Sequence, residues 1–154
     1  MDTIIRTARR AEIPVARFLP VLIPCLFYYS NLRNHRKILV VDGRVGFTRG
    51  INIREGHCLQ RKPRHAERDI HFRIVGPVVA HLQQSFAQDW FCTTGEEIVG
   101  DAWFPEMTSA GISLARGIAD GPDEDLDKLR MVLLGAIASA PSSITIVWPF
   151  FLPD

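Results

Sequence analysis

His35 and Lys37 stand two residues apart at the mouth of a short apolar run, Lys37-Ile-Leu-Val-Val41. In extended backbone, residues i and i+2 project from the same face, so an imidazole and an ammonium enter one space. Imidazole can attack phosphorus or move a proton near neutral pH. Lysine can neutralise charge that develops on the nonbridging phosphate oxygens. The pair therefore suits a phosphodiester. Arg36 projects the other way, which fits a structural role. Asp42, seven residues after His35, precedes Gly43, and aspartate is also a routine turn residue. Taken alone, His-x-Lys on a strand is weak evidence, because a histidine among basic residues is more often structural or solvent-facing.

The elements that must position these residues are readable as periodicities. Met1 to Arg10 shows Ile4, Ile5 and Ala8 on one helical face and arginines on the other. Ile13-Pro-Val-Ala-Arg-Phe18 reads as a strand. Asp42-Gly43 joins the run before it to Arg44-Val-Gly-Phe-Thr48 as a tight hairpin, because both turn positions need positive φ. A polar, basic loop spans residues 56–68. Ile70-His-Phe-Arg-Ile-Val75 alternates as a strand, and Gly76-Pro77 punctuates it. Pro77 opens a helix whose apolar stripe is Val78, Val79, Leu82, Phe86 and Trp90. Residues 93–119 read as a loop-rich linker. A second helix starts near Asp120, with acids where its dipole favours them. Its buried face is Leu126, Leu129, Val132, Leu133, Ala136 and Ile137. Ser143 to Trp148 reads as a last strand. Strands alternating with helices imply an α/β layered fold, a mixed β-sheet flanked by helices.

Composition is that of a globular protein, with 47% hydrophobic and 23% charged residues and a net charge of +1. The charge is unevenly spread. Leu32 to Arg73 holds eleven Lys or Arg against four Asp or Glu, whereas Glu96 to Asp127 holds nine acids and only Arg116. A basic stretch of this kind attracts phosphate-bearing partners. Cys25, Cys58 and Cys92 are widely spaced, odd in number, and form neither a disulfide framework nor a zinc site. The histidines show no metal spacing. No signal peptide is visible. The apolar stretch from Phe18 to Tyr29 has twelve residues and two prolines, whereas a spanning helix needs about twenty residues. The expected location is cytoplasmic or peripheral at the inner membrane.

The run Asn31-Leu-Arg-Asn-His-Arg-Lys-Ile-Leu-Val-Val-Asp-Gly-Arg-Val-Gly-Phe-Thr48, followed by Gly50-Ile-Asn-Ile53, resembles the phospholipase D superfamily signature, His-x-Lys-x4-Asp. It is most similar to the first such motif of the bacterial cardiolipin synthases. Further blocks resemble the segments that follow: Arg68 to Arg73 with Gly76-Pro-Val-Val79, Phe86-Ala-Gln-Asp-Trp90, Asp120 to Asp125, and Ile144 to Asp154. Nearly the whole chain is covered, most poorly at residues 102–115. The resemblance implies a partial first repeat at residues 1–119 and the start of a truncated second repeat at 120–154.

It also implies roles. His35 would be nucleophile or general acid, Lys37 an oxyanion binder, and Asp42 a support for the basic partners. Asn52 would contact phosphate, and Gly50 would let backbone approach it. No cofactor or metal is needed. The implied substrate is a phospholipid such as phosphatidylglycerol at a peripheral membrane surface, and nucleic acid is disfavoured. Two departures qualify this. Arg49 stands where the family has glycine, and no second His-x-Lys-x4-Asp is present. The missing histidine would come from a homodimer or from a second motif-bearing half. The alternatives are an inactive homologue that binds phosphate or membrane, and a dimeric single-motif nuclease. The terminal strand, Ile144 to Trp148, is further expected to fill a vacant slot in the sheet.

Overall fold

A computed structural model describes residues 2–18, 34–119 and 128–146. They fall into two units, Met1–Gly117 and Ile118–Asp154. The first unit opens with helix α1, Asp2–Arg10, as its periodicity predicts. The predicted strand at residues 13–18 does not form. Glu12 adopts a left-handed φ of 56°, and the Ile13 N–H donates back to the Ala8 carbonyl at 3.0 Å. Pro14 has no N–H to offer a ladder. The first two positions of the expected strand thus offer no donor to a ladder.

The Asp-Gly turn forms as its residue types dictate. Asp42 and Gly43 take φ of 53° and 64°, and the Arg44 N–H donates to the Val41 carbonyl at 3.0 Å. Strands β1, Ile38–Val41, and β2, Val45–Arg49, pair antiparallel from Val41↔Val45 to Ile38↔Thr48. After the basic loop, with short 3-10 turns at Glu55–His57 and Leu59–Arg61, β3 at His71–Val75 pairs antiparallel with β2 from Val45↔Val75 to Arg49↔His71. The sheet order is β1-β2-β3. The expected mixed sheet is therefore wholly antiparallel among the described residues. A hairpin and a loop join its strands, and parallel pairing would need helical crossovers.

Helix α2, Val79–Thr94, packs on this sheet. Its first turn is tightened by bonds from the Val79, Ala80 and His81 N–H groups to the Gly76, Pro77 and Val78 carbonyls. Pro77 thus enters the first turn, where no donor is required of it. Gly95 ends the helix at φ 75°, and its N–H donates to the Phe91 carbonyl at 2.8 Å. Gly46 lets the helix approach, since a side chain there would overlap Leu82. Val79, wholly buried, anchors the contact beside buried Gln83. The expected stripe is covered unevenly: Val79 is buried, and Val78, Leu82 and Trp90 are half-buried. Phe86 is 40% exposed, and its ring stacks on Trp90 with centroids 5.9 Å apart. Residues 95–119 carry turns but no regular element.

The second unit contains α3, Lys128–Ser139. Its expected buried face is corrected: Leu129, Val132, Leu133 and Ile137 are exposed, as are Met131 and Leu134. Apolar residues lie all round this helix, so no single stripe concentrates burial. Leu126 and the acids at 120–127 lie outside the described residues. Residues 143–146 form no strand, and none of them joins the sheet among the described residues. The expected slot-filling role is not met there, and Val147 and Trp148 lie outside the described residues. No described helix is long and apolar enough to cross a membrane.

Candidate active site

The approach to β1 is short and unladdered. Residues 34–37 precede the first β1–β2 pair, Ile38↔Thr48. His35 in this segment is exposed, and Lys37 is half-buried. The Lys37 Nζ donates to the His35 carbonyl at 2.6 Å. The ammonium is therefore held beside the backbone of the histidine residue. An ammonium carries three donors, so this bond leaves it capacity for an anion.

Arg36 is structural, as its opposite projection implies. Its Nη1 donates to Asp89 Oδ1 on α2 at 2.7 Å. The other carboxylate oxygen, Oδ2, accepts from Asn34 Nδ2. The Arg36 backbone N–H also donates to Asn34 Oδ1 at 2.9 Å. Sequence reasoning missed Asp89. The only hint was its place in the Phe86-Ala-Gln-Asp-Trp90 block, and nothing local links it to residues more than 50 positions earlier.

The ladder decides which residues share an end of the sheet. Arg49, the last residue of β2, pairs with His71, the first of β3. Continuing the β1–β2 register by one step sets Lys37 opposite Arg49. Gly50 and Asn52, which follow β2, leave from this same end. Asn52 is exposed, and its carbonyl accepts the Arg54 N–H at 2.9 Å. Gly50 takes no left-handed φ; the space for its missing side chain is taken by the Asp69 carboxylate. Asp69 Oδ1 in turn accepts the Ile70 N–H at 2.7 Å. The unusual backbone belongs to Arg49, at φ 122°, in a region that favours glycine.

Asp42 is not brought to this end. It starts the turn at the far end of β1, with four strand residues between it and Lys37. At strand rise that is a separation of roughly 15 Å. Among the described residues no hydrogen bond or ion pair joins Asp42 to His35 or Lys37.

The other histidines are differently placed. His81 Nδ1 accepts the Gly117 N–H at 3.0 Å. The His57 side chain is 7% exposed, 3.5 Å from Glu67, which also pairs with Arg54. His71 Nδ1 is buried without a hydrogen-bond partner among the described residues. The described residues hold no group of three or more His, Cys, Asp or Glu arranged to bind a metal.

No family model matches the chain, and no solved structure matches it either. Curated proteins do. A cardiolipin synthase of Geobacillus kaustophilus is 37% identical over 152 residues, 97% of this chain and 30% of its own length. A cardiolipin synthase of Geobacillus sp. (strain WCH70) is 37% identical over 99% of this chain and 31% of its own length. One from Staphylococcus aureus is 36% identical over 89% of this chain and 28% of its own length. The chain thus spans about 30% of the length of the curated relatives it matches. Identity of 36–37% over 89–99% of its length makes the chain homologous to a part of the bacterial cardiolipin synthases.

Proposed function

We propose that this chain is one half-site of a phospholipase-D-type phosphatidyltransferase or phosphodiesterase, with His35 as the residue that takes the phosphatidyl group. The observation that carries this reading is the placement of His35. It is exposed, its own carbonyl holds the Lys37 ammonium at 2.6 Å, and Gly50 and Asn52 leave the same end of the sheet. The naming of the relatives as cardiolipin synthases supports a phospholipid as substrate.

In the proposed reaction an imidazole nitrogen of His35 attacks phosphorus. The bond from phosphorus to the first alcohol breaks, and that alcohol leaves with the electron pair and needs a proton. Lys37 offsets charge on the nonbridging oxygens, and Asn52 adds a polar contact. The headgroup hydroxyl of phosphatidylglycerol, or water, then attacks phosphorus and breaks the P–N bond, freeing His35. Asp42 supports the pair at a distance by fixing the turn that sets the β1–β2 register. The reaction takes place at a membrane surface on which the chain sits peripherally. Residues 1–119 belong to a first repeat and 120–154 begin a second. The proton donor for the leaving alcohol comes from a second copy or from another motif-bearing half.

That division of labour defines the test. A p-nitrophenyl phosphodiester releases p-nitrophenolate, which is stable without protonation. This chain alone is expected to give a burst of p-nitrophenolate and an acid-labile phosphoryl adduct on His35. With phosphatidylglycerol vesicles, turnover requires the second half. No burst and no adduct from the wild-type chain would refute the reading.

A second reading is favoured by one observation, the left-handed φ of 122° at Arg49. In it the chain binds phosphate or an anionic membrane without turnover. Phosphate protection of the site without any burst would select this alternative.

A further inference from the structure

We infer that Asp89 is a positioning residue for His35, acting as a two-point clamp on the residues either side of it. The inference rests on the half-site reading for its consequence in catalysis, but its geometry stands apart from it. Asp89 Oδ1 takes the Arg36 guanidinium at 2.7 Å. Oδ2 takes the Asn34 amide. The Arg36 N–H closes the loop on Asn34 Oδ1 at 2.9 Å. His35 lies inside this closed ring of bonds and contributes no side chain to it.

The clamp has work to do because the segment lies ahead of the sheet ladder. The β1–β2 ladder starts only at Ile38. The His35 imidazole has no hydrogen-bond partner among the described residues. Asp89, by contrast, stands on a helix seated on the sheet through fully buried Val79, and the Thr93 hydroxyl donates to its carbonyl at 2.6 Å. The clamp therefore ties an unladdered approach segment to the helix that packs on the sheet. The Arg36–Asp89 pair is partly covered, with 30% and 21% side-chain exposure. Each carboxylate oxygen serves one flank of His35, so the pair constrains both translation and tilt of the backbone between them. A nucleophile displaced by about 1 Å loses on the order of a hundredfold in rate, which is the scale such a clamp can control.

The test uses Asp89→Asn, Asp89→Ala, and the charge-swapped double variant Arg36→Asp/Asp89→Arg with each of its single changes, all in the full chain. Three readouts are taken: burst rate with the p-nitrophenyl phosphodiester, thermal melting, and hydrogen exchange of the Arg36 amide. Asp89→Ala is expected to lower the burst rate by about ten- to a hundredfold with melting nearly unchanged. The Arg36 amide is expected to exchange severalfold faster. The swapped variant is expected to recover part of the rate that either single change loses, which general destabilisation would not do. An unchanged burst rate in a folded Asp89→Ala variant overturns the clamp. If the wild type gives no burst, the half-site reading fails by itself and exchange decides the clamp: acceleration in Asp89→Asn upholds it, and unchanged protection overturns it.

Discussion

The carboxylate of Asp69 occupies the space that a side chain at Gly50 would need. Gly50 is thus small because of its neighbour; its φ would admit other residues. Gly50→Ala is expected to push Asp69 off its bond to the Ile70 N–H and to cost about 1–2 kcal/mol, the scale of overpacking. Removing the neighbour should remove the penalty. Gly50→Ala in an Asp69→Ala background is expected to cost less than it does alone, by a coupling of about 0.5–1.5 kcal/mol. Urea unfolding of the two single variants and the double variant measures this, and strict additivity would refute the packing argument.

What the sequence disclosed and what it withheld follow the range of the interactions. The Asp42-Gly43 hairpin was legible because the requirement for positive φ is met by two adjacent residues. The placing of Pro77 just ahead of α2 is equally local. The strand at 13–18 was misread because an alternating apolar pattern says nothing about whether a partner strand exists. The antiparallel sheet was missed for the converse reason, since alternation of strands and helices in sequence does not fix strand direction. At the candidate site, His35 and Lys37 lie two positions apart, so their nearness follows from spacing alone. Asp89 and Asp69 reach it through the fold from distant elements, so spacing gave no sign of them. Asp42 carries the motif's spacing, yet four strand residues hold it away from the pair.

Arg49 holds φ at 122°, a conformation whose cost for a residue with a Cβ is about 1–3 kcal/mol. Glycine relieves that strain but loses about 0.5–1 kcal/mol through the added freedom of the unfolded chain. Arg49→Gly is therefore expected to stabilise the protein by about 1 kcal/mol. Arg49→Ala keeps the Cβ and gains nothing from φ. Comparing the two by urea unfolding separates backbone strain from loss of the cation. Equal stabilities would show that φ is not the cause.

Val79 is the largest fully buried side chain among the described residues, and it faces the sheet where Gly46 leaves room for α2. Val79→Ala removes two carbons and leaves a small cavity, an expected loss of about 2 kcal/mol. The consequence should reach the site, because α2 carries Asp89. Loosening the helix is expected to speed exchange of the Arg36 amide as well as lower the melting temperature. A lower melting temperature with that amide unaffected would show that the approach to β1 is held independently of the helix.

Lys37 separates charge stabilisation from folding. Among the described residues its Nζ bonds only a nearby carbonyl of its own segment, so its removal is expected to leave melting nearly unchanged. Under the half-site reading, its charge acts on oxygens that become more negative as phosphorus is attacked. Lys37→Ala is then expected to lower the burst rate by about 10²–10³-fold, the scale for losing one preorganised donor. Lys37→Arg keeps the charge but spreads it over a planar fork of different reach, and is expected to recover only part of the rate. His35→Ala should abolish both the burst and the acid-labile adduct. The three variants are compared at matched phosphodiester concentrations with the adduct measured by mass spectrometry. A Lys37→Ala chain that forms the adduct at the wild-type rate would remove lysine from the chemistry, even with His35 retained as the nucleophile.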